Sequence, residues 1–306
     1  MRVISVLLMN LRNSGWVKTG KLVMAAAQSE LSSKSDSRFK VSLRVVPHTQ
    51  PVEFSFRGRS SDLATILIST VEQNLTIPSS YHDQLAQNAF AGITAMTRRA
   101  VIVDLGSNIG SSAAFLATRY PGSKILGFEP DAANHELAVL NTSAFGPGVE
   151  ILPCAVGSTD GVASLERILS SARRDDFDGY RLPLRETLAA DAYSVEADVE
   201  TTPVVSPRSI VDRFGASDIP FFLKVDIESG ERAFFDTVNA APEWWYRFPI
   251  VVIELHDYVF EDFAASRSFL QYHWSAPRER VLLQNQSELF SLDVQALRDL
   301  ASTVAP

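Results

Sequence analysis

Residues 101–120, VIVDLGSNIGSSAAFLATRY, run from an apolar stretch through an acid into a glycine-punctuated turn and then a helical pattern. Val101, Ile102 and Val103 are uninterrupted by polar residues, as expected of a central parallel strand buried on both faces, and Asp104 stands at its carboxyl end. Gly106 and Gly110 let the backbone turn tightly and approach a ligand, and Ser111 or Ser112 is expected to cap the helix that starts there. A strand, a tight turn and a helix in this order open an α/β fold with a nucleotide-type cofactor lying across the turn.

The spacing of the glycines narrows the cofactor. Dinucleotide sites use G-x-G-x-x-G so that the backbone can approach a pyrophosphate, whereas this chain reads G-x-x-x-G with an acid two residues before the first glycine. A carboxylate there repels phosphate but suits a cationic amino group, met directly or through water. S-adenosylmethionine carries such a group. The second strand, Lys124 to Phe128, runs into Glu129-Pro130-Asp131, which places an acid 25 positions after Asp104. An acid there can accept bonds from both hydroxyls of a ribose. Either acid alone is weak; the two in register with the glycine turn are considerably stronger.

Five segments, VDLGSNIG, GFEPD, ILPCAVGSTDG, FFLKVDIESGERAFF and VVIELHDY, resemble in order the motifs of the FkbM-type S-adenosylmethionine-dependent methyltransferases over about residues 100–260. The resemblance implies a class I methyltransferase fold. That fold is Rossmann-like and doubly wound, with a mostly parallel seven-stranded sheet and an antiparallel closing strand. It also implies O-methylation of a hydroxyl on a sugar or other small metabolite. Carried across, Asp104, Gly106, Asn108 and Gly110 form the loop on the methionine side, and Glu129 holds the ribose. Ala155 and Val156 lie beside the adenine, and Asp226 faces the cofactor from the end of the fourth strand. The family usually reads D-x-E-G-A-E, whereas this chain has Asp226-Ile227-Glu228-Ser229-Gly230-Glu231, with the glycine one position later.

Composition bounds the rest. With 306 residues and 46% hydrophobic content, the chain can bury a full core as one large domain with an appendage. A formal net charge of −8 argues against holding nucleic acid by phosphate neutralisation and favours a small hydroxylated acceptor as partner. The single cysteine, Cys154, rules out an intramolecular disulfide, fits a reducing compartment and is read as packing within a strand. The Val3–Met9 run is too short to span a bilayer and no signal-peptide cleavage pattern follows, so a cytoplasmic, membrane-free protein is expected.

Along the chain, residues 1–38 read as a loosely ordered leader, and 39–98 as an N-terminal β-hairpin/helix extension. In that extension Val41, Leu43, Val45 and then Val52, Phe54, Phe56 alternate, and Leu63–Glu72 is helical. It is expected over the carboxyl edge of the sheet, either as a substrate cover or as a structural cap. Residues 99–306 form the cofactor-binding domain. Its further strands are read at Glu150–Ala155, Phe221–Val225 and Ile250–Leu255, with a closing antiparallel pair at Arg280–Leu283 and Glu288–Leu292. An insertion at about 166–205 is too charged and irregular for core, and reads as a lid, a partner surface or a solvated mobile loop. Trp244-Trp245-Tyr246 is read as packing ahead of the fifth strand.

Methyl transfer to oxygen is an in-line displacement that depends mostly on positioning, with a base needed when the acceptor is an alcohol. His256 and Asp226 are the catalytic candidates, because both follow apolar strands and so reach the same sheet edge. His256, with an unperturbed pKa near about 6.5, is expected to accept a proton at neutral pH. Glu254 and Asp257 can orient a neighbour or bind a substrate hydroxyl. Asp226, Glu228, Glu254, His256 and Asp257 also supply enough donors for a divalent metal; the alternative reading is that they shape the cofactor pocket and solvate its rim. An oxidoreductase predicts the absent G-x-G-x-x-G, and a base-amine methyltransferase predicts N/D-P-P-Y/F where KVDIES stands. The alternative that remains is a noncatalytic S-adenosylmethionine-binding or scaffolding protein.

Overall fold

The computed structural model describes residues 37–46, 49–58, 60–170, 177–181, 193–228, 230–241, 245–256, 264–275, 278, 280–284 and 288–303. Most of the expected leader (1–36), Asp257, Trp244 and parts of the expected insertion (171–176 and 182–192) lie outside them.

The described chain begins with β1 (Arg38–Leu43) and β2 (Val52–Arg57), an antiparallel pair. Then come α1 (Asp62–Leu67), which continues as a π turn through Glu72, and α2 (Ser80–Ala95). The parallel core starts with β3 (Arg99–Leu105), α3 (Ser111–Arg119), β4 (Lys124–Phe128), α4 (Ala132–Thr142) and β5 (Val149–Leu152). After β6 (Ala155–Val156), β7 (Gly161–Ser170), β8 (Phe177–Arg181) and β9 (Tyr193–Val205) come α5 (Pro207–Val211), β10 (Asp218–Val225), α6 (Glu231–Ala240) and β11 (Ile250–Glu254). The chain closes with α7 (Ala264–Ser275), β12 (Arg280–Gln284), β13 (Glu288–Leu292) and α8 (Val294–Ser302).

Seven strands form one sheet in the order β12-β13-β11-β10-β3-β4-β5. β13 runs antiparallel to both of its neighbours, and the remaining pairings are parallel. The period-two pattern of β3 shows why this sheet lies between two layers. Ala100 and Ile102 join the core beneath α2, α3 and α8, whereas Val101, Val103 and Leu105 join a second core with Phe234, Phe235, Phe269 and Tyr272 of α6 and α7. All five are buried, so β3 is central. Trp245 belongs to the second core, stacked on Phe248 and edge-on to Phe234. No helix of the described residues is long and apolar enough to cross a membrane.

Three expectations are corrected. The third strand does not run through Ala155: β5 stops at Leu152, Pro153 follows, and Ala155–Val156 pairs in parallel with β9 in a separate sheet of order β6-β9-β7-β8. Where described, the insertion at 166–205 is therefore not irregular, because its backbone extends β7 and β9 as a long antiparallel ladder. The segment before β3 does not sit over the carboxyl edge as a whole. Ala86, Ala89 and Ile93 of α2 pack on the sheet face with Ile102 and with Val294 and Leu297 of α8.

The tip of β2 does approach that edge. Arg57 forms an ion pair with Asp62 and donates to Asn134 Oδ1 at 2.6 Å. Asn141, buried on α4, uses its whole amide to link β2 to the loop after β3. Its Oδ1 accepts from Ser55 N–H, while its Nδ2 donates to the carbonyls of Ser55 and Ile109.

Candidate active site

The glycine turn is shaped by its neighbours. Gly106 and Gly110 both take φ of +81°, and a Cβ on Gly106 would lie 1.7 Å from the Asp226 carbonyl oxygen. The N–H groups of Gly106 and Ser107 donate to the Phe128 carbonyl, and Asp226 N–H donates to the Leu105 carbonyl, so the ends of β3, β4 and β10 are held together at the turn. The helix cap differs from expectation: Gly110 occupies the N-cap position of α3 with no side-chain bond. Ser112 instead donates to Asp104 Oδ2 at 2.6 Å, and Ser111 bonds Ser69.

Asp104 is fully buried. Parallel register sets it opposite Lys224, whose ammonium lies 3.2 Å from Asp104 Oδ1 and 3.2 Å from Asp226 Oδ2, and donates to the Gly106 carbonyl at 2.8 Å. Burial works to lower the lysine pKa, but the two carboxylates outweigh it and the net shift is upward. Asp104 is thus neutralised from within the protein and braces the turn from behind. Lys224 belongs to none of the motif positions assigned above, although a lone cation in the strand FFLKV signals a buried counter-charge.

At the tip of β4, Glu129 is buried and spans the turn. Its Oε2 accepts from Asn108 N–H at 2.8 Å, and its Oε1 accepts from Asp131 N–H at 3.0 Å and from Asn134 Nδ2 at 3.4 Å. Burial pushes its carboxyl up to about 7 against the opposing pull of those N–H groups. A carboxylate offers about four acceptor positions. The three used here leave room for a ribose hydroxyl, so the edge fits S-adenosylmethionine on its ribose side. Ala155 and Val156 are buried in β6, just past the end of β5. Cys154 lies between β5 and β6 rather than within a strand; its thiol, buried beside Ala155, is pushed up to about 11 by burial, in keeping with a packing role.

The ends of β10 and β11 bring the remaining candidates together. His256 is buried, and its Nδ1–H donates to Glu231 Oε1 at 2.8 Å; its Nε2 lies 3.5 Å from Glu228 Oε2 and 3.9 Å from Asp226 Oδ1. Glu231, in the first turn of α6, also accepts from Ile227 N–H, and Glu228 takes a left-handed φ of 47°. The shifted glycine of this segment, Gly230, has φ of −80° and leaves Glu231 in place.

The expectation that His256 titrates without tuning is corrected. Burial alone would lower its pKa, but Glu231, Glu228 and Asp226 together drive it well above the ordinary value. Glu228 is raised by burial and by the acids around it, and Glu254 is raised to about 7 chiefly by Asp226. Glu231 received no role from the sequence; its motif position, three residues after Glu228, was the available signal.

A mostly parallel sheet with one antiparallel strand, a glycine turn after its first core strand and an acid at the tip of the next define a Rossmann-like cofactor-binding enzyme class. The model of the methyltransferase FkbM domain matches residues 104–278, more than half of the chain, and the chain belongs to this family of S-adenosylmethionine-dependent methyltransferases. No curated protein matches the sequence.

Solved structures similar to the chain include cofactor-bound Rv0187 from MTB, with 13% identity, 94% of each chain covered and a TM-score of 0.41. The O-methyltransferase TomG from Streptomyces achromogenes in complex with SAM is 12% identical, covering 75% of this chain and 87% of that one, with a TM-score of 0.37. An O-methyltransferase from Bacillus cereus in complex with SAH is 11% identical, with 75% and 89% covered and a TM-score of 0.35.

Proposed function

We propose that this protein transfers the methyl group of S-adenosylmethionine to a hydroxyl oxygen of a sugar or other small metabolite. The observation that carries this reading is the adjacency of two groups of residues at one sheet edge. The glycine turn with Glu129 supplies a cofactor cradle, and Asp226 with His256 supplies polar groups one strand further on, with Gly106 packed against the Asp226 backbone.

When bound, S-adenosylmethionine supplies an electrophilic methyl group. Gly106, Asn108 and Gly110 let the backbone close on its methionine side, with Asp104 bracing them through Ser112 and Lys224. Glu129 would accept a bond from a ribose hydroxyl at its remaining acceptor position, and Ala155 and Val156 would flank the adenine. Asp226 faces the cofactor from the end of β10. Its side chain is 28% exposed against 6% for His256. This greater exposure supports Asp226 as the group that takes the acceptor hydroxyl's proton as the oxygen attacks, with His256 holding the carboxylates in position behind it. Bound there, the cofactor would give up its methyl group to the acceptor oxygen as the S–CH3 bond breaks, and would leave as a neutral thioether, with the hydroxyl proton passing to Asp226.

The tip of β2 and the β6–β9 sheet are proposed to shape acceptor recognition, with a small molecule rather than nucleic acid or a membrane as the partner and the cytoplasm as the setting. The reading is tested by incubating the protein with S-adenosylmethionine and a panel of hydroxylated acceptors and measuring S-adenosylhomocysteine. Acceptor-dependent formation supports it. Cofactor binding without turnover across the panel would favour a noncatalytic binder.

A further inference from the structure

Asp226, Glu228 and His256 each offer one ligand atom, and these atoms all lie within 4.8 Å of one another. Bonds from oxygen run from about 2.0–2.1 Å for Mg2+ to about 2.6 Å for Ca2+, so two ligands of one ion stand no farther apart than about 4.2 Å for the first and about 5.2 Å for the second. His256 Nε2 lies 3.5 Å from Glu228 Oε2 and 3.9 Å from Asp226 Oδ1, inside both limits.

The groups behind them point the same way. Glu231 Oε1 takes the Nδ1–H of His256, which leaves Nε2 directed at Glu228 and Asp226. A carboxylate behind an imidazole is the arrangement that orients metal-ligating histidines. Glu231 is itself wholly buried and directed into the cluster, and its Oε2 has no hydrogen-bond partner among the described residues. The neighbouring cation, Lys224, is already shared between Asp104 and Asp226. Four carboxyl groups, of Asp104, Asp226, Glu228 and Glu231, thus gather around two basic side chains, Lys224 and His256, and this excess of oxygen donors suits a bound cation.

We propose that Asp226, Glu228 and His256 form a binding site for a divalent, oxygen-preferring cation such as Mg2+ or Mn2+, with Glu231 as the positioning residue behind His256. Two carboxylates and one imidazole leave coordination positions for water or for an acceptor oxygen. A cation there lowers the pKa of a hydroxyl bound to it. That role rests on the methyl-transfer reading; the binding itself does not.

The test is a titration of the full chain with Mn2+, following the free ion by electron paramagnetic resonance. A single Mn2+ bound per chain, displaced by Mg2+ and weakened at least about tenfold in Glu228→Gln and Asp226→Asn, is the expected result. Both side chains are 28% exposed, which makes the two variants foldable, and circular dichroism checks this. Glu231→Gln should also weaken Mn2+ binding while leaving S-adenosylhomocysteine affinity unchanged. Absence of bound Mn2+ at millimolar concentration, or binding unaltered in both Glu228→Gln and Asp226→Asn, would overturn the proposal. S-adenosylhomocysteine titrated into the same samples separates the two readings, because failure of that ligand alone counts against methyl transfer and failure of Mn2+ alone counts against the metal site.

Discussion

Lys224 and Asp104 face each other across the β10–β3 register, and the lysine ammonium also reaches Asp226 and the Gly106 carbonyl. One cation therefore secures two acids and the cofactor turn together.

Lys224→Met should leave both acids without their shared counter-charge. Removal of one partner from a buried ion pair costs about 3–5 kcal/mol. Urea denaturation should show a loss of that order. The variant should also bind S-adenosylhomocysteine more weakly even where it remains folded, because the Gly106 carbonyl loses its donor. A stability equal to that of the wild type would mean that the ammonium contributes little to the turn.

Gly106 and Gly122 make a matched pair, with φ of +81° and +85°. A Cβ on Gly122 meets nothing within 4 Å, whereas one on Gly106 collides with the Asp226 backbone. Gly122→Ala should therefore cost only the backbone preference, about 1 kcal/mol, with unchanged cofactor affinity. Gly106→Ala should cost more and abolish S-adenosylhomocysteine binding by calorimetry. Equal effects in the two variants would contradict the close approach.

Glu129 is raised to about 7, so the folded protein holds a proton that the unfolded chain gives up nearer its ordinary range. Its contribution to stability is greatest at low pH and is lost as pH rises through about 7, a decline that Glu129→Gln should remove from the pH–stability curve. The ribose-accepting form is the ionised one. Affinity for S-adenosylhomocysteine should consequently rise between about pH 6 and 8, and Glu129→Ala should weaken it by about 1–3 kcal/mol at the upper end. A pH-independent affinity would detach Glu129 from the ribose.

His256→Ala should lower kcat while leaving S-adenosylhomocysteine affinity within about twofold, since the imidazole lies beyond Asp226 from the glycine turn. Steady-state kinetics with the best acceptor separate kcat from KM. An unchanged kcat would remove His256 from the reaction.

Local pattern accounts for what could be read without the fold. The strand at Val101–Val103, the two glycines and Glu129 lie within about thirty residues, and each leaves its own periodic or turn signature. The setting of His256 left no such signature, because Glu228, Glu231 and Asp226 approach it from another strand end and a helix turn. Its pKa depends on that convergence rather than on its own neighbours in sequence. The β6–β9 sheet was obscured for a related reason: the pairing of Gly161 with Val204 joins distant segments through backbone bonds that charged side chains neither require nor reveal. Ser112 looked like a cap because position alone suggested it, whereas a buried acid claimed its hydroxyl.

The amide of Asn141, committed at once to both sides of Ser55 and to Ile109, bears on how members of such a family can be recombined. A chimera joined just before β3 would bring a foreign β2 against a native α4. Unless the incoming strand presents its backbone at the same height, the Ile109 carbonyl loses a fixed reference and the turn after β3 loses its alignment. The natural unit of exchange is thus the β1–β2 pair together with α4, segments far apart in the chain that must be inherited as one.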